Sequence, residues 1–67
     1  MEWIHVEDGK PVQFKSVYFS IDEAVYKGMY VNHSFYDHDT GNYLEANYWM
    51  PVTNERAPFP DPPNSRS

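Results

Sequence analysis

The chain contains no cysteine, and in 67 residues that property constrains the fold more than any other. A domain this short buries a small fraction of its surface and is usually stapled by disulfides or a metal. Neither a disulfide nor a zinc–thiolate site can form here. Stability has to come from packed side chains, and the composition supplies large ones: two Trp, six Tyr and four Phe. Each ring removes roughly 150–250 Å² from water, several kcal/mol at about 25 cal/mol per Å². Self-association is the other route to sufficient burial, so a homodimer stays open. The length permits one domain.

The apolar spacing is mostly period two, the signature of half-buried strands. Trp3-Ile4-His5-Val6 alternates, Glu7-Asp8-Gly9-Lys10-Pro11 is turn chemistry, and Val12-Gln13-Phe14-Lys15 alternates again before the strand-like Ser16-Val17-Tyr18-Phe19. Val25, Met29 and Val31 share one face of the next run, with Tyr26, Gly28 and Tyr30 on the other. A glycine between two strand tyrosines points to close packing or a bulge. Ser34-Phe35-Tyr36 is a short strand and Asp37-His38-Asp39-Thr40-Gly41-Asn42 a turn. Tyr43 to Met50 reads as one last strand with Leu44, Ala46, Tyr48 and Met50 on one face, stopped by Pro51. Ser20-Ile21-Asp22-Glu23 also fits a capping box, so a short helix over 21–29 is an alternative. Gly28 and the β-branched and aromatic residues around it favour a hairpin turning near Asp22-Glu23.

These patterns predict a mainly β fold, a small antiparallel sheet of four to five strands spanning 1–53, with α+β as the alternative. The expected core is Ile4, Val6, Val17, Phe19, Val25, Met29, Val31, Leu44 and Met50, with Trp3 and Trp49 meeting where the ends of the domain converge. Residues 54–67 change character. Four of the six prolines fall between Pro58 and Pro63, so this stretch is neither helix nor central strand. It reads as an extended or disordered tail, polyproline-like and frayed at 64–67, with Phe59 able to dock. Pro60-x-x-Pro63 formally matches a ligand of proline-reading domains, a match common by chance, and a passive tail is the simpler reading.

Formal net charge is −5, and the domain carries all of it: Lys10, Lys15 and Lys27 face eight carboxylates in residues 1–53. Direct nucleic-acid binding runs on clustered Lys and Arg and is not expected. An acidic surface of Asp22, Glu23, Asp37, Asp39 and Glu45 either steers a basic partner or keeps the chain in solution. The start, Met1-Glu2-Trp3-Ile4-His5, lacks the basic and apolar regions of a signal peptide, and no apolar run approaches the ~20 residues of a membrane span. The expectation is a cytoplasmic protein without membrane contact.

No catalytic constellation is legible. The serines lie outside any Gly-x-Ser-x-Gly elbow, the glycines are isolated, and the paired carboxylates sit at turns. No enzyme and no cofactor are expected. His33 and His38, with Asp37 and Asp39, have the right donor types for a divalent metal, but their spacing places the two histidines on opposite strand faces. They are weak metal candidates. The aromatics are the remaining signal. A small sheet buries one face well, so some of Trp3, Tyr26, Tyr30, Tyr36, Tyr43 and Trp49 are expected to form an interface, unless both faces pack around the tail.

The order Trp3-Ile4-x-Val6, Pro11, Val17-Tyr18-Phe19, Val25-Tyr26-x-Gly28-x-Tyr30, Phe35, Trp49-Met50-Pro51-Val52 and a Pro-Pro tail resembles domain-of-unknown-function family 551. Its members are short proteins of bacteriophages and prophage regions, and the resemblance spans about residues 2–63. Asn47-Tyr48 stands where the family usually has Thr-His, and Thr53 to Phe59 intervenes before Pro60-Asp61-Pro62-Pro63. The resemblance implies a small antiparallel sheet and a phage-related accessory product, with no defined activity. Together these features lead to an expected binder of a host bacterial protein, with inhibition of that protein as one outcome. The alternatives are an acidic nucleic-acid mimic and a small metal-binding module.

Overall fold

Two hairpins, each turning on two residues, set the centre of the fold. The computed structural model describes residues 3–63, so the frayed end expected at 64–67 lies outside the described residues. Strand β2 (Ser16–Ile21) pairs with β3 (Ala24–Val31) through the loop Asp22-Glu23, and β3 pairs with β4 (Ser34–Asp37) through Asn32-His33. Asn32 and His33 both take positive φ, 50° and 71°, the type I′ geometry that matches strand twist. At the first turn only Asp22 is positive, at 55°, as in type II′. The Ser20 hydroxyl, free of any capping duty, donates to the Asp22 carbonyl at 3.2 Å. The segment 21–29 is therefore a hairpin, and no helix occurs among the described residues. None of them is in a helix long and apolar enough to cross a membrane.

Three further strands complete the sheet: β1 (Ile4–His5), β5 (Tyr43–Leu44) and β6 (Tyr48–Pro51). The order is β1-β6-β2-β3-β4-β5, with every neighbouring pair antiparallel. Both edges are two residues long, which leaves little for another chain to pair with. The count exceeds four to five because the expected strand Tyr43–Met50 is broken at Glu45–Asn47. Its first part closes one edge and its second inserts between β1 and β2.

That break curls the sheet. From β6 to β5 is four strand spacings, roughly 19 Å in a flat sheet at about 4.8 Å each. The chain from Leu44 to Tyr48 reaches at most ~14 Å. The sheet bends towards the side on which Leu44 and Ala46 pack, giving an inner and an outer face. Val17, Phe19, Tyr30 and Phe35 are buried on the inner face, with Val6, Ile21, Tyr26, Leu44, Ala46 and Trp49 against them. Phe19 stacks on Phe35 at 5.0 Å and on Tyr26 at 5.5 Å between ring centroids.

Strand alternation sends Val25, Met29 and Val31 to the outer face, where they are half-buried. The expected core thus mixed two faces, because period two gives a strand's sides and not which side is inner. Ile4, Val17, Phe19 and Leu44 point inward, and Met50 is buried outward.

Each face has its own cover. Because β6 runs antiparallel to both β1 and β2, those two strands are parallel, and the chain between them must cross back over the sheet. Residues 6–15 make that crossing on the inner side. The Trp49 indole N–H donates to the Gly9 carbonyl at 2.9 Å, Lys10 Nζ to the Val6 carbonyl at 2.8 Å, and the Phe14 N–H to the Tyr30 carbonyl at 2.9 Å. Val12 to Lys15, expected as an alternating strand, is a turn within this crossing. On the outer side lies the proline-rich segment.

Candidate functional site

Three outer-face side chains on neighbouring strands stand in one transverse row. Tyr18 of β2 is level with Lys27 of β3 and with Met50 of β6. Trp3, one residue before Ile4, extends the row to the β1 edge, since Ile4 is level with Trp49. Residues 54–63 follow it. Asn54 closes a turn by accepting from the N–H groups of Arg56 (side-chain oxygen, 3.0 Å) and Ala57 (carbonyl, 3.1 Å). Glu55 then meets Lys27 at 2.7 Å, Phe59 sets its ring edge-on to Tyr18 at 5.3 Å, and the Trp3 indole N–H donates to the Asp61 carbonyl at 2.8 Å. The hydrogen bond that Lys27 donates to the Glu55 carboxylate is the main cause that raises the Lys27 pKa, with burial pulling the other way.

Under this strap Tyr18 is 2% exposed, and its hydroxyl has no hydrogen-bond partner among the described residues. A buried polar group left unpaired costs about 1–3 kcal/mol. Tyr18→Phe is therefore expected to stabilise the chain by about 1 kcal/mol, or roughly 4–8 °C in Tm for a domain of this size. A thermal melt checks it, and a fall in Tm would mean that the hydroxyl is satisfied.

The inner side carries an apolar groove of about 470 Å³ between the crossing segment and the β1–β6–β2 end of the sheet. Ile4, Val12, Val17, Trp49, Pro51 and Val52 line its apolar wall, with Lys15 and Glu55 also bordering it. That volume falls in the range of ligand sites, roughly 300–1,000 Å³. Val12 is 68% exposed beside it, and Phe14, two residues on, is 67% exposed. Phe14 also has φ 68°, a left-handed conformation that a bulky residue adopts only at a cost. An aromatic that is both strained and left in water is the least expected arrangement in the molecule on stability grounds. Sequence reading placed Val12 and Phe14 in a strand, since their alternation looks the same in either setting.

The six aromatics expected to form an interface do not converge. Tyr30 is core, Tyr26 is stacked on Phe19, and Trp3 and Trp49 are engaged on opposite faces instead of meeting. Their indole N–H groups tie down the tail and the crossing segment respectively. Tyr36 and Tyr43 pack edge-on at 5.2 Å near the β5 edge, with His38 against Tyr36, and of the six only Tyr43 is exposed.

The acidic set is dispersed as well. Asp22 and Glu23 occupy the β2–β3 turn, Asp39 the turn after β4, and Glu45 the link after β5, beside Lys10 and His33 in a small cleft. Asp37 is not a surface group. It is 1% exposed, and its carboxylate accepts from the Asp39 N–H at 3.0 Å and the Thr40 hydroxyl at 2.9 Å, closing that turn. His33 sits at one end of β4 and His38 just beyond the other. Among the described residues no three His, Asp or Glu side chains are grouped to hold a metal. Comparison with family models, curated proteins and solved structures returned no match.

Proposed function

We propose that this chain is a protein-binding accessory module whose docking surface is the crossing segment and the apolar groove beside it. The strained, exposed Phe14 carries this reading, because strain is retained where a residue serves something other than stability. Val12 and the Trp49–Pro51 wall extend the surface. Aromatic side chains seated beside a pocket are the usual anchors of protein interfaces. The motif resemblance supports a phage-derived product that acts on a host protein in the bacterial cytoplasm, by occupying a surface. Carboxylates spread over three loops, with one buried, give no phosphate-like array, so no observation favours the nucleic-acid mimic.

The test is a pull-down of the tagged chain from bacterial lysate at low and high salt, set against a Val12→Ser/Phe14→Asn variant. Both positions are exposed, and Asn tolerates positive φ, so the variant should keep its stability or gain about 1 kcal/mol. The expected result is a stoichiometric partner that survives high salt with the wild type and is lost with the variant. A partner retained by the variant and released by salt would transfer the function to the carboxylates.

A further inference from the structure

The outer face holds the tail in an unusual way for a sheet. From Asn54 to Pro63 no backbone hydrogen bond joins the tail to a strand. The contacts are a ring edge, an ion pair and an indole N–H on a carbonyl. These are the contacts that suit a polyproline segment. Such a segment has no internal hydrogen bonds, presents its carbonyls outward, and is already extended, so little entropy is lost when it docks on aromatic residues. The indole donates to the carbonyl of Asp61, within Pro60-Asp61-Pro62-Pro63, and Phe59 lies on Tyr18 immediately before it. The row Trp3–Met50–Tyr18–Lys27 crosses the strands, so it reads an extended chain by side chains alone.

We infer that this row is a binding surface for proline-rich segments, occupied in cis by residues 54–63, and that it takes a partner protein's segment of the same kind. The ligand chemistry follows from the occupant. It is a proline-rich stretch with an aromatic residue before alternating prolines, preceded by a turn that carries a carboxylate four positions ahead of that aromatic, as Glu55 stands to Phe59. The cis segment has an effective concentration in the millimolar range, so it masks the surface against weak ligands. The Tyr18 hydroxyl, without a partner among the described residues, leaves a donor that a better ligand can satisfy. The row faces away from the Trp49 and Pro51 wall of the groove; Glu55 borders both surfaces, and the Phe14 and Trp3 variants test the two readings separately.

The experiment uses ¹⁵N-labelled full-length chain and a synthetic peptide of residues 55–63, followed at the two indole N–H signals. Phe59→Ala/Glu55→Gln weakens the cis contacts and leaves the row intact. This variant is expected to bind the peptide at least about tenfold more tightly than the wild type, with the Trp3 signal moving and the Trp49 signal still. Trp3→Phe in that background should remove most of the binding. If the variant does not fold, wild type at millimolar peptide should show the same Trp3 displacement. Equal binding to both chains, movement of Trp49 alone, or no displacement at millimolar peptide overturns the inference. A dimer held by exchanged tails, seen by sedimentation of the peptide-free chain, overturns the assignment to a partner protein.

Discussion

Replacing Gly28 with alanine is expected to remove most of the stability of the chain. Gly28 lies on the inner face of β3, level with Asp37 of β4 and Val17 of β2. A Cβ there would overlap the Tyr36 carbonyl oxygen, come within 2.8 Å of its carbon, and reach 3.3 Å from the Phe19 ring. The first two are backbone atoms of a paired strand, so rotating a side chain does not relieve the clash. Relief requires β4 to move away, taking Phe35 out of its contact with Phe19 and Tyr30. A domain of this size has roughly 3–10 kcal/mol in hand, and the change should cost about 4 kcal/mol or more. Urea unfolding followed by Trp fluorescence measures it, with Gly41→Ala for comparison. Gly41 has φ +76° and only the Tyr36 hydroxyl nearby at 3.7 Å, so its substitution meets conformational strain alone, about 1–2 kcal/mol. Equal losses at the two glycines would mean that β3 and β4 are not paired as described.

The glycine was legible in the sequence because its flanking tyrosines left few other reasons for it. The same holds for the first hairpin, where Asp22-Glu23 interrupts apolar alternation with turn residues. The second is not marked: Asn32-His33 lacks the glycine that signals a type I′ turn, although both residues take positive φ. What lay outside local pattern was the pairing of distant segments. Tyr43 to Met50 looks continuous, yet Ala46 has to turn inward for Leu44 to reach β4 and Tyr48 to reach β2. That depends on where β2 and β4 already lie. Trp3 and Trp49 sit near opposite ends of the domain sequence, which suggested a meeting. One residue of register puts Ile4, not Trp3, on the face of Trp49. The binding surfaces were the least legible part. Twelve aromatics exceed what one small face needs, and by composition alone the surplus points to an interface. The outer face takes up Tyr18 and Trp3 with Phe59 partly over them, and the exposed aromatic of the crossing segment is Phe14, with Tyr43 exposed at the β5 edge. A crossing exists only because β1 and β2 are parallel, a relation that spacing does not encode.

Neighbouring residues of β2 provide the sharpest division between the two layers, and Phe19→Ala is the larger half of it. Phe19 is fully buried, at 0% exposure, in a strand paired on both sides. Its ring is stacked between Tyr26 and Phe35, both anchored in their own strands, so the surrounding groups have little freedom to close the space it leaves. Truncation of such a ring removes its transfer energy and leaves a cavity, together about 3–5 kcal/mol. That is comparable to the whole stability of a domain this size. Tyr18, one residue earlier, is buried almost as deeply, yet removing its hydroxyl is expected to help, because its cover is a strap held by side chains and its polar atom has no partner among the described residues. Met29→Ala tests the same division from the outer face of β3, where a half-buried side chain should cost well under half as much as Phe19. Urea midpoints for Phe19→Ala and Met29→Ala decide the matter. Similar losses would place the core on both faces equally. A loss confined to Phe19 fixes the inner face as the part that holds the fold together, and leaves the outer row free to exchange one proline-rich segment for another without unfolding the sheet.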